Sequence, residues 1–178
     1  MKNRKRIIMA FVLVACMLIG VGYAAVTDNF KVTGNITISD KGATDAFNED
    51  IRFVGVVVEG NSEPVSDVLA SMNLGYTASC NVPMDEASFH ITGLKGAGDS
   101  KQVTFRIKNF GDVDATLNFT VEPEFDKDAF NVEHNLTNGA DLKAGESIDI
   151  TFTVTVVNSV TEETTSQFVF NFTANSAE

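Results

Sequence analysis

Residues 148–156 read Ile-Asp-Ile-Thr-Phe-Thr-Val-Thr-Val, and this stretch decides the fold class. Apolar and polar residues alternate with a period of two, which predicts a β-strand with one buried and one solvated face. The five inward residues are Ile148, Ile150, Phe152, Val154 and Val156. Full burial of such a side chain stabilises a fold by roughly 1.5–3 kcal/mol, so the row fixes the register of the strand.

The same alternation recurs on both sides of this stretch. Residues 103–108 and 116–121 alternate around Asn109-Phe110-Gly111-Asp112, which predicts a hairpin with its turn at residues 109–112. Phe168, Phe170 and Phe172 repeat the pattern near the end of the chain. Residues 51–58 are apolar on both faces and predict a central strand. Weaker strands are predicted at residues 76–82, 87–91 and 130–134.

One helix is predicted. Apolar residues at Val65, Val68, Leu69 and Met72 have helical spacing, which favours a short helix over residues 64–74, capped by Asn61 or Ser62 and ended by Gly75. Several short alternating strands with one helix predict an all-β fold, a two-sheet antiparallel β-sandwich. A barrel is the second option.

The N-terminal region has the order of an export signal. Four basic residues within the first six precede an apolar run at residues 7–21, and Gly22 and Ala24 supply the small side chains that a signal peptidase requires. We therefore expect cleavage between Ala24 and Ala25, with no membrane-spanning segment afterwards. The predicted division is a signal peptide (1–24), an N-terminal strand (25–39) and a sandwich domain (40–178).

The two cysteines allow a second interpretation of this region. Leu13-Val14-Ala15-Cys16 fits a lipobox, but the apolar run continues past Cys16, which favours an unmodified residue in the signal core. Cys80 alone would remain after processing. A buried free thiol is expected there, with intermolecular pairing as the alternative.

The segment after the expected cleavage site is itself a strand candidate. Phe30, Val32, Ile36 and Ile38 alternate with polar residues between them. A free strand at a chain end can complete its own sheet or the sheet of a neighbour. The sequence leaves both arrangements open, the first as an ordinary edge strand of a monomer and the second as a donor strand.

Charge and composition exclude several classes of partner. The full chain has a net charge of −11, and removal of residues 1–24 takes away four basic and no acidic residues, which leaves −15 over 154 residues. This balance argues against nucleic acid and anionic lipid as partners.

Motifs for catalysis or cofactor binding are absent from the sequence, so neither an enzyme nor a cofactor is predicted. His90 and His134 lie far apart and are interpreted as structural residues. The acidic runs at 40–50 and 122–128 could bind calcium, but solvated loops are favoured because no known loop spacing fits. Asn35, Asn118, Asn135 and Asn171 stand in Asn-x-Thr triplets and are interpreted as outward strand residues rather than glycan sites.

A family resemblance rests mainly on the first 40 residues. The basic start, the apolar core, Gly22-Tyr23-Ala24-Ala25-Val26-Thr27-Asp28 and the strand with Thr33-Gly34-x-Ile36-x-Ile38 resemble export signals served by the SipW-type signal peptidase of Gram-positive bacteria. The mature chain resembles the TasA/camelysin family of secreted biofilm-matrix proteins. The stretches at 108–115 and 142–147 resemble this family's hairpin and its turn before a late strand. Val21 and Val26 depart from the family's usual signal.

The resemblance implies a jelly-roll-like β-sandwich and a secreted protein of the extracellular matrix or cell surface. Fibre-forming members insert the N-terminal strand into the next subunit, so the implied partner is the protein itself, and head-to-tail insertion propagates as a filament. A monomeric surface-binding module and a camelysin-like secreted metallopeptidase are the alternatives. The peptidase activity is not carried over, because the sequence lacks a metal-binding motif.

Overall fold

The computed structural model describes residues 30–40, 50–80, 86–122, 127–158 and 164–176. Within these ranges the chain folds into strands that form two β-sheets. The strands are β1 (Phe30–Asp40), β2 (Ile51–Val57), β3 (Asp67–Val68), β4 (Tyr76–Cys80), β5 (Glu86–Leu94), β6 (Ser100–Asn109), β7 (Ala115–Glu122), β8 (Phe130–His134), β9 (Ala140–Leu142), β10 (Ser147–Val156) and β11 (Thr164–Ser176).

The larger sheet has the order β3-β4-β5-β1-β11-β7-β9, and the smaller has the order β2-β6-β10-β8. Neighbouring strands are antiparallel except for β1 and β11, which run parallel. The all-β, mostly antiparallel fold predicted from the alternating patterns is therefore confirmed.

Aromatic side chains join the two sheets face to face. Phe152 of the smaller sheet has its ring centroid 4.7 Å from that of Phe170 and 5.9 Å from that of Phe89, both in the larger sheet. Phe105 lies 6.2 Å from Phe89 across the same interface. All four side chains are buried. The alternating rows therefore form one shared core, as expected for two half-buried sheets.

Strand β10 follows its predicted pattern. Ile150, Phe152, Val154 and Val156 are buried, and Ile148 is partly buried against the same core. The threonines between them lie on the other face, where Thr151 bonds Thr104 of β6 with an oxygen–oxygen distance of 2.9 Å. The prediction of a strand with one core face is confirmed here.

The predicted helix over residues 64–74 is wrong. This segment contains the two-residue strand β3 and a single 3-10 turn at Ala70–Met72. Backbone pairing with β4 places Asp67 opposite Ser79 and Val68 opposite Ala78. Only Val68 of the four apolar residues is fully buried, whereas Leu69 and Met72 are exposed. Tertiary pairing of the backbone has overridden the helical spacing of the side chains.

The predicted hairpin around residues 109–112 is also wrong, although both of its strands exist. Strand β6 belongs to the smaller sheet and β7 to the larger one, so the turn carries the chain between sheets. Each strand finds its partners elsewhere, β6 with β2 and β10, and β7 with β9 and β11. Alternation predicted the strands correctly, but two amphipathic strands in succession can face each other across a core instead of pairing.

Strand β2 was expected to be central, and it lies at an edge. A bulge between Phe53 and Gly55 shifts its register against β6, and Val54 and Val57 are only partly buried. Val56 exchanges two backbone hydrogen bonds of 2.7 and 2.9 Å with Val65, which covers part of this edge. A side chain at Gly55 would lie 2.7 Å from the carbonyl oxygen of Val65, so the close approach requires glycine.

Candidate functional site

The candidate site is the slot between β5 and β11, which β1 fills. These two strands do not pair with each other. Strand β1 pairs with β11 from Phe30 opposite Thr164 to Asp40 opposite Ala174, and with β5 from Phe30 opposite Leu94 to Thr37 opposite Glu86. The N-terminal strand is thus an interior strand of the chain's own sheet, and the expectation of an edge strand is wrong for this arrangement.

The strands that flank the slot are built around buried apolar residues. Ala87, Phe89, Ile91 and Leu94 of β5 and Phe170, Phe172 and Ala174 of β11 are buried. Their side chains alternate with less buried ones, as the predicted pattern of 168–172 requires. The slot therefore belongs to the core layer of the sandwich, where an unfilled position would expose both backbone and apolar surface.

All four residues expected in a donor strand lie within β1, and the backbone register places them opposite buried positions of β5 or β11. Phe30 is opposite Leu94, and Val32 is opposite Ile91. Ile36 stands between Ala87 and Phe170, while Ile38 is opposite Phe172. Residues that face each other across neighbouring strands share one face of a sheet. The apolar positions of β1 are thus in register with buried positions of β5 and β11.

A buried asparagine organises the turn between β6 and β7. Asn109, fully buried, donates through Nδ2 to the carbonyl oxygens of Val113 (2.8 Å) and Leu142 (3.1 Å), and its Oδ1 accepts from the N–H of Gly111 (2.9 Å). These bonds hold the turn between β6 and β7. The sequence interpretation treated Asn109 only as a turn residue, because nothing in its neighbours distinguishes a buried asparagine from an exposed one.

The start of β2 lies at this turn, and β1 ends toward the same end of the larger sheet. Asp40 is opposite Ala174, and the last positions of β11, Asn175 and Ser176, are opposite Thr116 and Ala115 at the start of β7. The carbonyl oxygen of Asp50, just before β2, accepts a hydrogen bond of 2.7 Å from the N–H of Phe110. The chain therefore leaves β1 and re-enters the sandwich at the same end.

The predicted structural histidines lie on separate strands, His90 on β5 and His134 on β8. The ring centroid of His134 lies 4.2 Å from that of Phe119 and 5.5 Å from that of Phe170, and its Nδ1 is buried without a hydrogen-bond partner. Burial lowers the pKa of His134, and a backbone hydrogen bond with Leu136 acts in the opposite direction. His134 is thus a packing residue between the sheets.

Cys80 is a buried free thiol, as expected from the sequence. Its Sγ lies 3.8 Å from the carbonyl oxygen of Ser66. Burial raises the pKa of the thiol to about 11, and the negative charge of Asp67 adds to the rise. A thiol in this state is poorly reactive near neutral pH, which makes it unsuited to nucleophilic chemistry.

A shallow groove of about 320 Å³ crosses the outer face of β3, β4 and β5. Asp67, Ser79, Ser88 and His90 contribute to its lining. Asp67 accepts hydrogen bonds from Ser79 (2.6 Å) and Ser66 (3.0 Å), and these bonds lower the pKa of the carboxyl group. The groove therefore combines an ionised carboxylate and hydroxyl groups with apolar side chains such as Leu69 and Ala70.

The remaining site predictions fall partly outside the described ranges. Ala24, Ala25 and Cys16 lie outside them, as do most of the acidic run at 40–50 and residues 123–126 of the second run. Within the described ranges no three His, Cys, Asp or Glu side chains gather as a metal site. No helix in that part of the chain is long and apolar enough to span a membrane.

Comparisons with known proteins give no assignment. No protein-family model matches the chain, and no curated protein matches it.

Proposed function

We propose that this protein is a secreted structural component of the biofilm matrix or cell surface, with a jelly-roll-like sandwich, and that it assembles into fibres by N-terminal strand donation. In this proposal a SipW-type signal peptidase cleaves between Ala24 and Ala25. The mature protein then has neither a membrane anchor nor an enzymatic role. Its partner is the next copy of itself, and the strand 25–39 is the element that is exchanged.

One observation carries the proposal, namely the position of β1. An interior strand with hydrogen-bonded neighbours on both sides contributes far more than an edge strand, because it completes two ladders at once. It is also the first strand in the described part of the chain, and only the ten residues at 41–50 join it to β2. A strand with these properties can leave as a unit and be replaced by its counterpart from another copy.

Exchange between copies would conserve the contacts seen within one chain. The same residues of β5 and β11 would pair with the same positions of β1 in the monomer and in the exchanged assembly. The free-energy difference between the two would therefore depend mainly on the connection after β1 and on the local concentration of copies. Val32, Ile36 and Ile38 suit this role because they are apolar and stand opposite buried residues of β5 or β11.

The experiment compares the protein that begins at Ala25 with a shortened form that begins at Asp40. Electron microscopy of both, over a range of protein concentration, salt and pH, should show filaments only for the longer form. A synthetic peptide of residues 25–40 should bind the shortened form and restore its sheet. Failure of the longer form to make filaments under every condition would refute the proposal.

A monomeric surface-binding domain is the second candidate. Two observations favour it: β1 completes the sheet of its own chain, and the groove on β3, β4 and β5 is open to solvent. In this case the protein that begins at Ala25 stays monomeric at high concentration, and substitution of Asp67 weakens ligand binding without changing the oligomeric state.

A further inference from the structure

We propose that the outer face of the larger sheet binds a neutral polysaccharide where β7 and β11 lie side by side. The side chains that would carry the binding are Asn118, Thr120, Asn171 and Thr173, and we call them the amide–hydroxyl patch. This inference goes beyond strand donation and does not depend on it, because the pair of β7 and β11 contains no residue of β1.

The register of the sheet aligns Asn-x-Thr triplets from neighbouring strands. Residues 118–120 of β7 and 171–173 of β11 run antiparallel, so that the asparagine of each is opposite the threonine of the other. The middle residues, Phe119 and Phe172, pack against the core, which places the asparagine and threonine of each triplet on the outer face. A third triplet, residues 35–37 of β1, pairs with the other side of β11 and has its threonine opposite the asparagine of β11.

The patch is uncharged, although the chain is strongly acidic, with 24 acidic and 13 basic residues. The next pair along the two strands, Asn175 opposite Thr116, extends the uncharged surface. Asp141, opposite Thr116 on β9, and Glu122, at the far end of β7, lie at its two limits. An ionic partner finds no opposite charge in the patch, and a second copy would approach with the same net charge. A neutral partner is therefore favoured.

The outer face of the smaller sheet shows a different use of polar side chains. There Thr104 and Thr151 share a hydrogen bond with an oxygen–oxygen distance of 2.9 Å, and Gln102 donates to the hydroxyl of Thr153 (3.2 Å). In the amide–hydroxyl patch, the three side chains other than that of Asn171 have no hydrogen-bond partner among the described residues. Their amide and hydroxyl groups are therefore available to a ligand.

The chemistry and spacing of the patch suit the hydroxyl groups of a sugar polymer. An amide has two N–H donors and a carbonyl acceptor, and a threonine hydroxyl both donates and accepts, as sugar hydroxyls do. Neighbouring strands lie about 4.8 Å apart, and alternate residues of one strand lie about 6.8 Å apart, which gives a regular grid of groups. Each hydrogen bond exchanged with water contributes little, so a polymer that makes many at once is favoured over a single sugar.

The first test is native electrophoresis of the protein that begins at Ala25, in gels that contain hydroxyethyl cellulose, dextran or galactomannan, all of them neutral polymers. At least one of them should retard the protein more than it retards ovalbumin, an acidic reference protein. The polyanion alginate should not. Equal retardation of both proteins in all three neutral gels, or equally strong binding to alginate, would refute the inference.

The second test removes groups of the patch. The double variant Asn118→Ala, Thr120→Ala should raise the dissociation constant of the neutral polymer about tenfold, because two hydrogen-bonding side chains are lost. The matched control is Thr104→Ala, Thr153→Ala on the outer face of the smaller sheet, and it should leave binding unchanged. Thr120→Ser keeps the hydroxyl and should bind like the parent. Thermal unfolding by circular dichroism verifies that each variant is folded, and equal weakening in the two double variants would overturn the assignment.

Other occupants of this face give different results. If Asp67→Asn abolishes retardation and the variant of Asn118 and Thr120 does not, the polymer lies in the groove on β3, β4 and β5, and the inference is refuted. It is also refuted if the variant of Asn118 and Thr120 changes only the sedimentation of the protein without polymer, since the patch is then a contact between copies. Filaments without retardation refute polysaccharide binding and leave strand donation standing, whereas retardation without filaments does the reverse.

Discussion

Strands β1 and β10 are both interior strands with alternating sequences, yet the chain holds them differently. Strand β10 has antiparallel neighbours on both sides, and a tight turn, in which the N–H of Glu146 donates to the carbonyl oxygen of Lys143 (3.0 Å), feeds it from β9. Strand β1 runs parallel to β11, which lies far away in the sequence, and a ten-residue connection links β1 to β2.

The alternation of apolar and polar residues therefore determines whether a strand is buried, but it does not determine how firmly the strand is attached to the rest of the fold. Removing β10 would separate β8 from β2 and β6 and dismantle the aromatic core. Removing β1 would divide the larger sheet, but its two halves, β3-β4-β5 and β11-β7-β9, would keep their own pairs. We therefore expect β10 to determine global stability and β1 to determine assembly.

The largest expected effect belongs to β10. Phe152→Ala should lower the free energy of unfolding by about 3–5 kcal/mol, because the buried ring contacts Phe89, Phe105 and Phe170 and its loss leaves a cavity. Urea denaturation followed by fluorescence or circular dichroism measures the change. A loss below about 1 kcal/mol would contradict the central role assigned to this strand.

A charge in β1 should act locally. Ile36→Asp should destabilise the inserted strand by about 2 kcal/mol or more, because Ile36 stands between the buried Ala87 and Phe170 in the register. Hydrogen exchange should then speed up along β5 and β11 and stay slow in β6 and β10. Thr37→Asp is the matched control in the alternate row. Equal effects of Ile36→Asp and Thr37→Asp would show that the two alternating rows of β1 do not differ in their tolerance of a charge.

Asn109→Ala should cost about 2–3 kcal/mol, because it removes three hydrogen bonds of a fully buried side chain and leaves the carbonyl oxygen of the buried Leu142 without this partner. Asn138→Ala, which removes one exposed hydrogen bond of 2.7 Å to the N–H of Phe119, should cost about 1 kcal/mol. Thermal unfolding of the two variants tests the ranking. The reverse order would mean that the turn between β6 and β7 does not depend on Asn109.

The smallest effect concerns pH. Burial lowers the pKa of His134 in the folded chain, so the unfolded chain binds the proton more readily. The stability from the neutral ring is therefore present above the unfolded pKa of about 6.5 and is lost as pH falls toward the folded value. Unfolding measured between pH 7.5 and 5 should show a weaker pH dependence for His134→Phe than for the parent. Identical slopes would show that His134 does not contribute to the pH dependence of stability.

The sequence was sufficient for the strands and insufficient for their partners. Alternation located β6, β7 and β10 because a row of large apolar residues can be buried in only one phase. Partner choice depends on contacts between distant segments, which is why the hairpin at 109–112 and the central position of β2 were wrong. The helix at 64–74 failed for a related reason, since its backbone pairs with β4.

The candidate site was half predictable. The apolar row of Phe30, Val32, Ile36 and Ile38 could be read from the sequence, whereas the slot between β5 and β11 required the fold. Asn109 could not be distinguished from any other asparagine in a turn, because its importance comes from burial and from a carbonyl group at Leu142.

The most direct test of strand donation mixes two variants, each with one introduced cysteine in addition to the buried Cys80. Thr37 and Asn171 are opposite each other in the β1–β11 register. Protein with Thr37→Cys is combined with protein carrying Asn171→Cys, oxidised, and separated without reductant. If strands are donated between copies, a mixed disulfide should join the two proteins, because the strand of one copy then lies in the slot of the other. A disulfide that forms within one chain carrying both substitutions, with none between the two proteins at any concentration, would contradict it.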